Sequence, residues 1–374
     1  MMTAFLISIF LNSNPFIVFY GITIPIPSDQ ISWSKSTKNM DFLEEKYIDQ
    51  SRKIIQTIDS AGSFNDWQKV QLSIRFAKSL FPDNSEKYIS LSFYLWNEMG
   101  FEVQPGYNKN GEMIPLIASE QSMFGMPFFK INGSRYYDLM MISKASEEEK
   151  KGLTIHSDDP PPKWSKKLVI NVSDLPFTGD KTQTKTLSWS YENHYYSFTF
   201  PVNIYLRSYF HDLPNIEYKY LLEYKFSQSI TDNFIIPLRE EFKKQKLTDD
   251  EKAECLRQMI LQCFPYIDDQ ALFGYEHVQF PEELLLSEGC DCEDRSLFLY
   301  KLLEQLTDLT PLMADYPTHV SILINSNENW KGDSFEYKGK KFIFCDPTFF
   351  NAPLGAVPEA IKNLTPDIIE RILK

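Results

Sequence analysis

The chain has 374 residues, enough for two or three domains. Carboxylates outnumber Lys plus Arg by 51 to 38, a formal charge of −13 at pH 7, and no basic stripe is present to neutralise a phosphate backbone, so nucleic acid is excluded as the main partner. Hydrophobic content of 43% and charged content of 24% exclude wholesale disorder, and five cysteines, all beyond residue 254, exclude a disulfide framework.

Residues 4–11 form an apolar run that is too short to cross a bilayer and ends at Pro15. It reads either as the apolar region of a signal peptide, which would make the protein an exported one, or as a strand continuing into 16–20; no Lys or Arg precedes it. No other segment reaches transmembrane length. Residues 1–38 are taken as this N-terminal segment, and 39–150 as a first unit. Within that unit the apolar spacing predicts a helix over 64–81 with Asn65 or Asp66 as N-cap, and a second over 88–99 stopped at Gly100. Strands follow from Phe101, with a hairpin turn at Asn132-Gly133.

Acidic and proline-rich punctuation at 147–162 marks a linker, and 151–235 reads as a linker and β-rich connector, alternating between 168 and 205, with helices resuming near Tyr218. The last unit, 236–374, opens with the residue types of a capping box, Thr248 and Glu251, before a helix over 255–264. A loop-rich stretch to Gly289, a helix over 292–306, strands at 320–325 and 341–345 and a short helix at 366–373 complete it.

Internal similarity runs through this plan. A shift of 206 residues lays 93–99 over 299–305 and 129–137 over 335–343, whereas Phe81-Pro82 meets Phe264-Pro265 at a shift of 183. One helix-then-sheet unit is therefore expected twice, the second copy carrying about 23 extra residues at 266–288, where they would line a cleft.

The chemistry-bearing residues lie in the second copy. Cys292 falls where a loop becomes a helix, and a helix N-terminus favours thiolate over thiol; Asp291, Glu293 and Asp294 oppose this in part. A thiolate nucleophile needs a His to carry the proton and an acceptor to fix that His. His319 begins an apolar strand, Asp346 ends another, and the two intervals from Cys292 are 27 residues each. A zinc site from Cys290, Cys292, His319 and Asp346 is the competing chemistry, but Cys-x-Cys without a second pair is not finger spacing. No metal and no cofactor is expected. Cys255, Cys263 and Cys345 read as buried packing residues, and His156, His194, His211 and His277 as ordinary core or surface groups.

Cys-Glu-Asp-Arg at 292–295, Tyr-Pro-Thr-His at 316–319 and Cys-Asp-Pro-Thr at 345–348 resemble the transglutaminase-like cysteine protease superfamily, bacterial type. The likeness covers about residues 245–358, with Phe273-Gly274 and 280–283 also fitting. It implies an α+β fold with a papain-like core, Cys292 as nucleophile, His319 as general base and acid, and Asp346 as the orienting residue. Gln270, and more weakly Tyr275, are the side-chain candidates for the oxyanion donor beside the backbone N–H of Cys292. The implied activity is acyl transfer on a protein or peptide substrate through a thioacyl intermediate, most simply amide hydrolysis, with transamidation sharing the same site. The alternative is a non-catalytic protein- or peptide-binding module on the same fold. In the first copy the shift places Glu86, Met113 and Met140 at the three positions, and no His occurs before 156, so that copy is a degenerate partner.

Overall fold

The computed structural model describes residues 16–26, 45–83, 85–108, 110–141, 154, 162–326, 333–350 and 353–372; the apolar run 4–11 and most of the 147–162 linker lie outside them. Two compact units divide the chain, one of residues 1–171 and 176–179, the other of 172–175 and 180–374. The chain is mixed α plus β with antiparallel sheets.

In the first unit β1 (Phe16–Phe19) and β2 (Ile22–Pro25) form a hairpin, followed by α1 (Glu45–Ala61), α2 (Asp66–Leu80) and α3 (Ser85–Glu98). Asn65 is the N-cap of α2 and forms a capping box with Gln68. Trp96 of α3 is fully buried and donates its indole N–H to Ser73 Oγ of α2 at 2.8 Å, so the helix pair is joined by a satisfied polar contact inside an apolar interface. Gly100 ends the helix with φ +87°, a conformation that favours glycine. The sheet that follows comprises β3 (Val103–Tyr107), β4 (Met113–Ser119), β5 (Phe128–Ile131) and β6 (Ser134–Asp138), in the order β3-β4-β6-β5. Asn132 and Gly133, both at positive φ, make its two-residue turn.

The second unit opens with the hairpin β7 (Thr182–Tyr191) and β8 (His194–Asn203), then α4 (Ile204–His211), α5 (Tyr218–Leu221), α6 (Ile236–Gln245) and α7 (Asp249–Cys263). Two one-turn helices, α8 (Asp269–Leu272) and α9 (Pro281–Leu284), occupy the 266–288 stretch ahead of α10 (Cys292–Leu306). Strands β9 (Pro311–Tyr316), β10 (His319–Ile324), β11 (Ser334–Tyr337), β12 (Lys340–Phe344) and β13 (Asp367–Ile369) form one antiparallel sheet, ordered β11-β12-β10-β9-β13. All six residues of β10 are buried, as expected of a central strand covered on both faces. Helix α10 packs against β9 and β10. Leu312, Ala314, Tyr316, Leu323, Phe342, Phe344 and Ile361 form an apolar cluster on the sheet.

The two units share one plan. Helix α2 and helix α7 differ by 183 at both ends, and so do their capping residues Asn65 and Thr248. Strands β5 and β6 differ from β11 and β12 by 206 at both ends, and the strand order β3-β4-β6-β5 repeats as β9-β10-β12-β11. The extra residues of the second unit are those holding α8 and α9.

Three expectations change. The 151–235 stretch is not a separate connector, because its hairpin belongs to the second compact unit and packs on α7. The alternating run stops at Asn203 instead of Tyr205: the Asn203 side chain accepts hydrogen bonds from the N–H groups of Tyr205 (2.8 Å) and Leu206 (3.2 Å) and starts α4 there. The terminal segment is strand β13 and not a helix; Asp-Ile-Ile carries β-branched residues, and the open edge of β9 offers a full set of backbone partners.

Candidate active site

Cys292 is the first residue of α10, and Asp291 is its N-cap. The cap is reciprocal: Asp291 accepts from the Asp294 backbone, and Asp294 Oδ2 accepts from the Asp291 N–H at 3.2 Å. Asp294 is fully buried and also accepts from the backbone (2.6 Å) and side-chain N–H (2.9 Å) of Gln279, which donates in addition to Gly289 O. The acidic residue two places after the cysteine therefore anchors the helix start to the preceding loop.

Arg295 completes that anchorage. Buried, it donates to Phe264 O, to Pro347 O at 3.2 Å and to Cys290 Sγ at 3.4 Å, and its guanidinium lies 5.3 Å from the Tyr266 ring centre. Arg257 of α7, paired with Glu254 through two contacts of 2.7 and 2.6 Å, donates to Asp346 O (3.4 Å) and Phe349 O (3.2 Å). Two buried guanidinium groups thus hold the turn that follows β12, each through several donors in a fixed fork.

His319 and Asp346 meet on that frame. His319 Nε2 lies 2.6 Å from Asp346 Oδ2, while Asp346 Oδ1 accepts from the Thr348 N–H at 2.8 Å, so both carboxylate oxygens are engaged. The Phe349 ring stands edge-on to the imidazole, with centroids 5.4 Å apart. This leaves Nδ1 as the imidazole nitrogen not engaged by Asp346. The Val320 N–H, one residue from His319, is aimed at the Cys292 sulfur, which places the thiol at the start of β10. Cys292 and His319 are each 9% exposed.

The electrostatics of the thiol differ from the expectation for a helix N-terminus. Burial pushes the Cys292 thiol up, and the Glu293 carboxylate, which accepts its proton at 3.1 Å, pushes it further; Asp291 adds to this and the Val320 N–H opposes it. The partial charge of a helix end is outweighed by desolvation and a full carboxylate charge in contact. Cys290 is pushed up to about 12, by burial first. It is structural: its N–H and C=O bond Pro265 O (3.1 Å) and the Ile267 N–H (3.0 Å), and its sulfur faces Arg295. That commitment takes it out of a Cys-x-Cys metal set.

The two side chains expected as oxyanion donors both lie in the 266–288 stretch. Gln270 is exposed on α8. Tyr275 packs against Phe273 and His277. Tyr218 and Tyr266, which sequence reasoning did not single out, have Cys292, Glu293 and Asp291 as charged neighbours that raise their hydroxyls, burial being the larger cause. No local sequence signal marks either tyrosine; α5 and the Tyr266–Cys290 bridge bring them in.

Among the described residues four sets of His, Cys, Asp and Glu converge closely enough to hold a cation. Three share the acidic start of α10: Asp291-Cys292-Glu293, Asp269-Asp291-Asp294 and Asp269-Glu276-Glu293. The fourth is His211, His277 and Glu283. Comparison with known protein families, with curated proteins and with solved structures finds no match.

Proposed function

We propose that the second unit is a transglutaminase-like cysteine acyl-transfer enzyme, acting by hydrolysis of an amide or peptide bond through a thioacyl intermediate on Cys292. The observation that carries this reading is the His319–Asp346 pair at 2.6 Å on a strand whose next residue, Val320, points its N–H at the Cys292 sulfur. In this reading Asp346 fixes the imidazole through Nε2, and Nδ1 takes the thiol proton and delivers it to the leaving amine. Water or an amine then resolves the thioacyl group. The first unit has the same element order; the 206-residue shift puts Glu86, Met113 and Met140 at the three places, the first residue of α3 being Ser85 where α10 has Cys292, and with no His before 156 it is a copy without chemistry.

The test is acyl-probe labelling and peptide hydrolysis by variants. Cys292→Ala abolishes both, Cys290→Ala retains much of the activity, and Asp346→Asn loses less than His319→Ala because it disturbs orientation without removing the proton carrier. An active Cys292→Ala protein would sink the assignment.

One observation favours a second reading, a non-catalytic binding module: the thiol is raised, with its proton held by Glu293. Iodoacetamide at mildly acidic pH separates the two readings. Rapid, selective loss of the Cys292 thiol supports the enzyme, and ordinary thiol behaviour supports the module.

A further inference from the structure

His211 lies far in the chain from His277 and Glu283, yet both imidazoles share one oxygen of Glu283. His211 Nδ1 lies 2.7 Å and His277 Nε2 2.8 Å from Glu283 Oε1. The second oxygen, Oε2, is buried and has no hydrogen-bond partner among the described residues. His277 and Glu283 are almost wholly buried, whereas the His211 side chain is 41% exposed and opens the cluster to solvent.

The surroundings fix all three side chains. The rings of Phe210 and Phe280 stack at 4.6 Å and lock the end of α4, where His211 sits, to the start of α9, which carries Glu283. Asn215 donates to Glu276 O (2.9 Å) and accepts from the Val278 N–H (3.0 Å), clamping the loop that bears His277. The His277 N–H donates to Asp269, and the Phe273 ring packs against both imidazoles. A rigid, mostly apolar shell around two imidazole nitrogens and a carboxylate is what a preorganised metal site requires.

We propose that His211, His277 and Glu283 bind one zinc-class transition-metal ion that fastens the 266–288 segment to α4, with a fourth position open on the His211 side. Two imidazoles and one carboxylate match the three-ligand sets that hold zinc with one position free. A tetrahedral ion with bonds of about 2.1 Å holds its ligand atoms about 3.4 Å apart, so the contacts of 2.7 and 2.8 Å widen by about 0.6–0.7 Å. A purely ionic His–Glu–His triad satisfies only one carboxylate oxygen and leaves Oε2 desolvated and unpaired. A metal centre uses that oxygen, either directly or by drawing the carboxylate round. On binding, the protons now between the imidazoles and Oε1 move to the outer ring nitrogens or to water.

The test uses the full chain, dialysed against EDTA and titrated with Zn2+ and separately with Co2+. One equivalent should bind, the Co2+ form should show the visible absorption of a four-coordinate ion, and Zn2+ should raise Tm. His211→Ala should keep the circular-dichroism spectrum of the folded metal-free protein and weaken Zn2+ binding at least tenfold. The His211→Ala/His277→Ala double variant should lose the cobalt spectrum, and Cys292→Ala should keep it. Absence of binding in the unmodified chain overturns the proposal, as does Zn2+ binding unaltered in His211→Ala. Loss of the site in Cys292→Ala also overturns it, by moving the metal to the start of α10.

Discussion

At the scale of single residues, the proton on Cys292 is the controlling feature. Glu293 sits beside the thiol and accepts from it at 3.1 Å, and both its charge and this bond favour the protonated form. Removing the charge while keeping the shape should therefore lower the thiol pKa. Glu293→Gln is expected to alkylate several-fold faster with iodoacetamide at pH 7, its rate–pH profile displaced toward acid. An unchanged profile would mean that burial alone sets the thiol. The His319–Asp346 contact was legible in the sequence because His319 begins an apolar strand and Asp346 follows another; Cys292 likewise begins a helix, while β12 ends at Phe344 and leaves Asp346 in the turn beyond it. Glu283 and its two histidines were not legible. His211 lies 72 residues from Glu283, and an isolated His or Glu carries no signal until the fold joins them.

At the scale of elements, the approach to α10 depends on one glycine and one arginine. A Cβ on Gly289 would meet Ile267 side-chain carbons at 2.5, 2.6 and 2.8 Å, the last being the Ile267 Cβ, which cannot swing aside. That close approach lets 266–267 pair with Cys290, two residues ahead of Cys292. Gly289→Ala should destabilise the second unit by about 1–3 kcal/mol through overpacking, read as a lower midpoint in urea; a neutral result would mean that the 266–268 segment yields freely. Arg295→Lys keeps the charge but loses the fork that reaches Phe264 O, Pro347 O and Cys290 Sγ together. On the proposed amide-hydrolase reading it should lower kcat on a peptide substrate more than tenfold, with KM little changed, because the Asp346 turn loosens. Equal kcat in the two proteins would leave Arg257 as sufficient support. Helix and strand positions were readable here from caps, Asn-Gly and periodicity. Segment 366–373 was misread because its strand exists only through the free edge of β9, a long-range partner that no local pattern contains.

Across the whole molecule, the shared plan of the two units was readable because insertion and offset are properties of the sequence, and both hairpin and helix obey them. What distinguishes the second unit electrostatically is a buried acidic group at the start of α10. Burial raises Asp269 to about 7, with the His277 N–H opposing and Glu293 adding. Burial also raises Asp291 and Asp294, which repel each other and Glu293. In the unfolded chain these carboxyls titrate near about 4. Between about pH 4 and 7 the folded state therefore holds more protons than the unfolded state, so their contribution is complete below about pH 4 and is lost as pH rises. His211, raised by its hydrogen bond to Glu283, has the same sign at higher pH. Carboxyls lowered by partners, such as Glu223 and Glu241, act with the opposite sign but below their ordinary range of about 4.3, outside the neutral window. Stability from urea unfolding of the metal-free chain should accordingly fall from pH 5 to pH 8. Asp291→Asn keeps a capping oxygen and removes one carboxyl that must hold its proton in the folded state, so its curve should be flatter and should lie above that of the unmodified chain at pH 8. A wild-type curve that rises over this range, or a variant curve parallel to it, would show that the acidic cluster does not govern the pH dependence of folding.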